Sequence, residues 1–223
     1  MVSIQVYSFS FNNPERKARM TERFSTVGHP VMWVDPVPLT DPRITCAVGE
    51  KRLHSIMYNH LDMIAAFLAG TSEYGIFCED DIFIRRDFAS TVQIAIDGYK
   101  RQGADVMLLG YLSTYKPFTY DIHGYHSALE QPFVFLSIYP ELWGSQMYMM
   151  DRAAAQRVLD TCCDPTKVSG PFSPDWVLTK FGKVVAIYPM LAVEEGIVVT
   201  EHEGQRNFHQ VCFQTHYNKD IHI

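Results

Sequence analysis

No apolar run in the sequence approaches the ~20 residues of a membrane-spanning helix. No span is therefore expected. Basic residues are not in excess: 19 Lys and Arg stand against 25 Asp and Glu, a formal net charge of −6. A mildly acidic chain lacks the basic footprint that sequence-independent nucleic-acid binding needs. No G-x-G-x-x-G follows the first apolar strand, which argues against a dinucleotide oxidoreductase. The five cysteines (Cys46, Cys78, Cys162, Cys163 and Cys212) are odd in number and none are spaced as in a zinc site. They read as reduced thiols, so a cytoplasmic setting is the expectation. Met1 to Phe11 alternates instead of forming a continuous apolar stretch, and no signal peptide is expected. No internal repeat, low-complexity tract or linker divides the chain.

What is present suits one globular domain. The chain has 223 residues, of which 47% are apolar and 13% aromatic, enough for a full core. Segments rich in β-branched and aromatic residues alternate with helical patterns, which predicts α/β layering. Ser3 to Phe9 reads as the first strand. Asn13-Pro14 reads as an N-cap with proline at the first helical position, opening a helix with Met20, Phe24 and Val27 inward. Val31 to Val34 reads as a strand ending at Asp35-Pro36. A helix over about Glu50 to Leu68 places Leu53, Ile56, Met57, His60, Leu61, Ile64, Phe67 and Leu68 at helical spacing. Tyr74 to Cys78 is a buried strand, and Asp87 caps a further helix. Asp105 to Gly110, Phe133 to Ile138, Gln146 to Met150 and Lys183 to Tyr188 are strands. Asp151 and Ser173-Pro174-Asp175 start helices. Tyr111 to Gln131, with Tyr115, Lys116, Tyr120, His123 and Tyr125, reads as a loop or lid, and the tail from Thr200 as polar and irregular.

Tyr74 to Cys78 runs directly into Glu79-Asp80-Asp81. Three adjacent carboxylates repel one another unless they face water or share a cation. Oxygen ligands of this kind suit Mg²⁺ or Mn²⁺. The carboxyl end of a strand in an open α/β sheet is also where ligands sit. Alternation in extended backbone turns Glu79 and Asp81 the same way and Asp80 elsewhere. The other reading is a solvated acidic turn, with Asp80 or Asp81 capping the next segment. The local motif leaves both open.

Asn59-His60, the rest of its helix, the strand ending in Glu79-Asp80-Asp81 and then Phe88 together resemble glycosyltransferase family 25. That family includes lipooligosaccharide and collagen sugar transferases. It carries Ser-His where this chain has Asn59-His60, so the match departs there. Asn12 with Arg16 and Arg19, Val106 to Gly110, Gly144-Ser145-Gln146-Met147-Tyr148 followed by Ala155, Asp175 and Pro189 resemble further landmarks in the same order. The compact length also resembles glycosyltransferase domains of large algal DNA viruses, which act on capsid glycans in the host cytoplasm.

The resemblance implies a GT-A (Rossmann-like) fold, with a mixed central sheet flanked by helices. A nucleotide-binding half would span about 1–110 and an acceptor-binding half about 111–223. Tyr7, Ser8, Arg16, Arg19, Asp35, His60 and Asp80 would bind the nucleotide-sugar. Glu79 and Asp81 would hold Mn²⁺ or Mg²⁺, joined by a C-terminal histidine. His202 ranks first for that role, ahead of His209 and His216. Asp175 would be the base that deprotonates the acceptor hydroxyl in an inverting transfer, with Trp143 and Trp176 on the acceptor side. The implied partners are a UDP-linked or other nucleotide diphosphate sugar and a glycan or glycoprotein acceptor. Each residue also has a plainer reading: a solvated arginine, a turn aspartate, a core histidine, a helix-capping Asp175 or a core tryptophan. Two alternative functions remain, a non-catalytic sugar-binding module and a metal-dependent phosphoesterase. Two-metal hydrolases draw ligands from several strands, and no second acidic strand end of comparable strength stands out in the sequence.

Overall fold

The computed structural model describes residues 2–116, 133–137, 142–197, 200 and 202–223. Most of the expected lid, including Tyr120, His123 and Tyr125, lies outside them.

The elements run β1 (Ile4–Phe9), α1 (Pro14–Thr26), β2 (Val31–Val34), α2 (Lys51–Ala69), β3 (Tyr74–Cys78), β4 (Ile82–Ile84), α3 (Phe88–Gln102), β5 (Val106–Leu112), β6 (Val134–Ser137), β7 (Trp143–Asp151), α4 (Arg152–Cys162), α5 (Pro174–Val177), β8 (Val184–Tyr188), β9 (Ala192–Glu194) and α6 (Glu203–His216). Seven strands form one mixed sheet in the order β2-β1-β3-β7-β5-β8-β6, and β4 pairs with β9 in a small second sheet. Helices cover both faces. The apolar sides of α1 and α3 pack on one, and those of α2, α4 and α5 on the other. The expected mixed sheet flanked by helices is therefore present. β3 is hydrogen-bonded to β7, so strands from the stretches on either side of residue 110 interleave.

Local signals explain most of these elements. Asn13 accepts the Arg16 backbone N–H at 3.0 Å, and Asp151 accepts that of Ala154 at 2.7 Å. Each satisfies a donor that a helix start otherwise leaves unpaired. Met20 and Phe24 are fully buried, one turn apart on α1. The chain departs from expectation in four places. Leu53 is exposed on α2. Asp87 precedes α3 but gives its carboxylate to Arg85 at 2.8 Å and caps no backbone N–H. β5 continues to Leu112 with Tyr111 buried, so the loop begins later than expected.

The fourth departure is the tail, which contains the 14-residue helix α6. No side chain caps its start, and Cys212 is its one buried residue. Tertiary contact holds it instead. Phe213 packs over Gly196, where a Cβ would lie 2.7 Å from the Phe213 Cβ. The Phe213 ring stacks on Tyr217 at 4.6 Å.

An acidic crevice as the candidate functional site

The chain leaves β1 through α1 on one face and reaches β3 through α2 on the other. Crossovers to opposite faces leave a crevice between β1 and β3 at their carboxyl ends. A cleft of 380 Å³ lies at that end, lined by Phe9, Phe11, Asn13, Arg16, Leu39, Arg52, Ser55, Ile56, Asn59 and Glu79 to Asp81. The loop after β2 is clamped to α2. Asn59 accepts the Val37 N–H at 2.6 Å, and the Ser55 hydroxyl donates to the Val37 carbonyl at 2.6 Å. That gives Asn59 a structural bond and places Leu39 on the cleft wall.

The three carboxylates have different surroundings. Asp80 accepts the Ser10 hydroxyl at 2.5 Å. Arg16 Nη1 lies 3.5 Å from Asp80 Oδ1 and 3.2 Å from Asp81 Oδ2. The other Asp81 oxygen, Oδ1, is sealed from solvent and has no hydrogen-bond partner. Burial pushes the Asp81 carboxyl up to about 7, with Glu194 adding to the rise and Arg16 opposing it. Burial also raises Glu79 well above the usual carboxylate range, reinforced by Asp81, Asp175 and Glu194.

Glu194 arrives by a route the sequence did not reveal. β9 runs antiparallel to β4 with Ile82 opposite Glu194, and the Glu195 N–H donates to the Asp81 carbonyl at 2.7 Å. Gly110 permits this docking, because a Cβ there would lie 2.8 Å from the Ala192 carbonyl oxygen. The chain thus has a second acidic strand end, which corrects the expectation of none. A visible signal was the dyad Glu194-Glu195, at the end of an apolar segment. The two glutamates diverge: Glu195 pairs with Arg23 at 2.9 Å and Arg19 at 3.2 Å.

The histidines are also redistributed. His202 is exposed at the start of α6. His209, two turns further on, has Nδ1 2.7 Å from Glu194 Oε2. That bond raises the His209 pKa, and Asp81 and Asp175 add to the rise. His209, not His202, is therefore the α6 histidine facing the acids, because Phe213 and Gly196 fix which helix face turns inward. His216 Nε2 instead donates to the Ser113 carbonyl at 2.9 Å, and burial lowers its pKa to about 4. His60 is fully buried, with Nδ1 3.0 Å from the Tyr148 hydroxyl. Its Nε2 has no hydrogen-bond partner and lies 3.9 Å from Glu79 Oε1. Burial lowers its pKa to about 3, so this contact is not an ion pair near neutral pH.

Asp175, in the first turn of α5, accepts both the backbone N–H (2.9 Å) and the hydroxyl (3.0 Å) of Ser145. Burial raises its pKa, and those two bonds oppose the rise. The Asp175 charge adds to the rise at Glu79, and the Glu194 charge to the rise at Asp175.

Several expected ligand residues lie elsewhere. Tyr7 is buried and stacked on Phe77 at 5.8 Å, and Ser8 is buried within the sheet. The strand must pass its last buried layer before side chains reach the cleft, so Phe9 and Phe11 line it instead. Asp35 is exposed and does not line the cleft. Arg19 faces Glu195. Trp176 donates Nε1–H to the Ser169 carbonyl at 2.7 Å, and Lys180 Nζ covers its ring at 3.1 Å. Trp143 is exposed at the start of β7, two residues before Ser145. Sequence reasoning missed Phe9, Phe11, Arg52 and Glu194.

The fold and site define an α/β protein with a carboxylate-rich cleft at the strand ends. No family model matches the chain, and no curated protein sequence matches it. A solved structure described as a glycosyltransferase involved in the glycosylation of the major capsid of PBCV-1 is similar at a TM-score of 0.45 and 11% identity, covering 93% of this chain and 98% of that one. Among the described residues, no helix is long and apolar enough to cross a membrane.

Proposed function

We propose that the protein is a glycosyltransferase that moves a hexose or deoxyhexose from a nucleotide diphosphate sugar, UDP-linked in the first instance, to a glycan or glycoprotein hydroxyl with inversion. One observation carries this reading. Burial raises Glu79 and Asp81 at the strand ends, the Glu194 charge adds to both rises, and a sealed Asp81 oxygen lacks any partner. Carboxylate oxygens such as these suit a hard divalent cation, Mn²⁺ or Mg²⁺. Glu79 and Asp81 would hold it, and Glu194, bonded to His209, adds negative charge nearby. When bound, such a cation neutralises charge on the diphosphate leaving group.

The chain's own residues supply the rest. Phe9, Phe11 and Leu39 offer an apolar wall for a flat base, and Arg16 and Arg52 offer forked donors for phosphate oxygens. Asp80, held by Ser10, stands at the ribose edge. Asp175 accepts the acceptor hydroxyl's proton. Its burial keeps the carboxylate more basic than an ordinary helix-start aspartate, despite the helix dipole. His60 stays neutral, with its Nε2 3.9 Å from Glu79 Oε1. Trp143, exposed at the start of β7, would meet the acceptor.

The test is a panel of nucleotide-sugars with and without Mn²⁺, read as release of nucleoside diphosphate with and without glycan acceptors. Cation-dependent release from at least one donor supports the reading. Nucleotide-sugar binding without turnover would instead identify a sugar-binding module. Glu194, as the second acidic strand end, also suits phosphoester hydrolysis. Release of inorganic phosphate from simple phosphoesters, with no sugar transfer, would establish that function instead.

A further inference from the structure

Away from the crevice, one group of mixed donors comes together. The Cys46 sulfur, a Glu50 carboxylate oxygen and a His54 ring nitrogen all lie within 4.8 Å of one another. Among the described residues this is the one such triple of His, Cys, Asp or Glu side chains. The local fold builds it. Val48–Glu50 forms a single 3-10 turn that runs straight into α2, so Glu50 and His54 sit one helical turn apart. Cys46 precedes that turn and packs against the core below it.

Among the described residues, the donor atoms of the three side chains make no hydrogen bond that would compete for them. Glu50 stands at the start of α2 but caps no backbone N–H. Cys46 is a free thiol. His54 rests its ring on Phe172, with centroids 4.9 Å apart, yet its Nδ1 is sealed from solvent without a hydrogen-bond partner. A buried imidazole nitrogen with no partner normally costs stability. None of the three lines the acidic cleft.

We propose that Cys46, Glu50 and His54 form a binding site for one zinc-class divalent cation, distinct from the acidic crevice. Thiolate and imidazole favour Zn²⁺ over the Mg²⁺ or Mn²⁺ that an all-carboxylate set takes. Metal–ligand bonds of about 2.0–2.3 Å put tetrahedral donors roughly 3.5 Å apart. The exposed Glu50 side chain has the freedom to close that remaining gap. Three protein ligands leave a fourth position for water. Cys46 gives up its proton on binding, so the affinity rises with pH.

Cobalt(II) distinguishes this site from the crevice, because only a thiolate ligand gives the intense sulfur-to-cobalt charge-transfer absorption. Chelator-treated full-length protein is titrated with Co²⁺ and then with Zn²⁺, which should displace the band at one equivalent. Cys46→Ser should abolish the band. It should also weaken Zn²⁺ binding by more than the roughly 10–100-fold that losing an outer hydrogen-bond partner costs. Cys163→Ser, at the exposed neighbour of Cys162, should leave the band intact. Glu50→Gln, at a solvent-facing position, should weaken Zn²⁺ binding while circular dichroism stays unchanged. No band in the wild-type protein, or a band that persists in Cys46→Ser, overturns the proposal. The outcome is independent of sugar transfer, because neither the band nor Zn²⁺ affinity depends on turnover.

Discussion

Two groups of carboxylates in this protein show opposite ways of settling charge. Asp41 and Asp62 flank Arg43, which bonds Asp41 through Nε at 2.9 Å and Asp62 through Nη1 at 2.7 Å. The guanidinium satisfies both acids with its fork of donors. It also holds the Asp41 carboxyl below the usual carboxylate range. In and around the crevice, Glu79, Asp81, Asp175 and Glu194 share Arg16 and His209 among them, and burial drives Glu79, Asp81 and Asp175 upward. The first group is complete within the fold. The second is left short of positive charge, and two of its members, Glu79 and Asp81, line the cleft, which makes them candidates for function.

The sharpest break of this comparison is Asp81→Asn. It should abolish cation-dependent donor turnover, a loss of at least about 10³-fold, and full retained activity in the nucleotide-sugar assay would end the assignment of this cluster. Asp175→Asn should lower kcat by roughly 10²–10⁴-fold while nucleotide-sugar affinity, measured by calorimetry, stays near wild type. An equal loss of affinity would make Asp175 a binding residue instead.

pH separates the groups next. Asp81 has a folded-state pKa raised to about 7. Its contribution to stability is full below the ordinary aspartate value near 4 and is lost as pH rises to about 7. Thermal melts of cation-free protein should therefore weaken across that window, and Mn²⁺ should flatten the decline. Asp41 has the reverse sign: its pKa is lowered, so its contribution appears above the ordinary value and is lost in acid.

The smallest effect is on neutral-pH stability. Asp41→Asn should cost about 1 kcal/mol or less, because Arg43 is partly solvent-screened. Asp81→Asn should raise the cation-free melting temperature slightly by removing repulsion. Denaturant unfolding of the two variants checks that the signs are opposite.

The legibility of the site followed the range of the interactions that build it. Glu79-Asp80-Asp81 was visible because a strand end and its acids are contiguous, and Asp175 because Ser173-Pro174 marks a helix start. Tyr7 was misplaced because alternation gives a side chain's face but not the layer at which a strand emerges from the core. Glu194 was missed because its role depends on β9 docking beside β4, which relies on the bare backbone of Gly110. His202 stands first in the sequence because it follows the last strand directly, whereas His209 faces the acids only through the packing of α6. Nothing local to the two histidines says which one faces inward.

The sequence by itself determined the α/β layering, the main strands, the caps of α1 and α4, and the acid-bearing strand end. All of these rest on periodicity and on contacts within a few residues. Tertiary structure alone decided that β4 pairs with β9, that α6 turns His209 toward the acids, and that Phe9 and Phe11 line the cleft in place of Tyr7 and Ser8. These outcomes depend on contacts between residues far apart in the chain, where packing and burial override local preference.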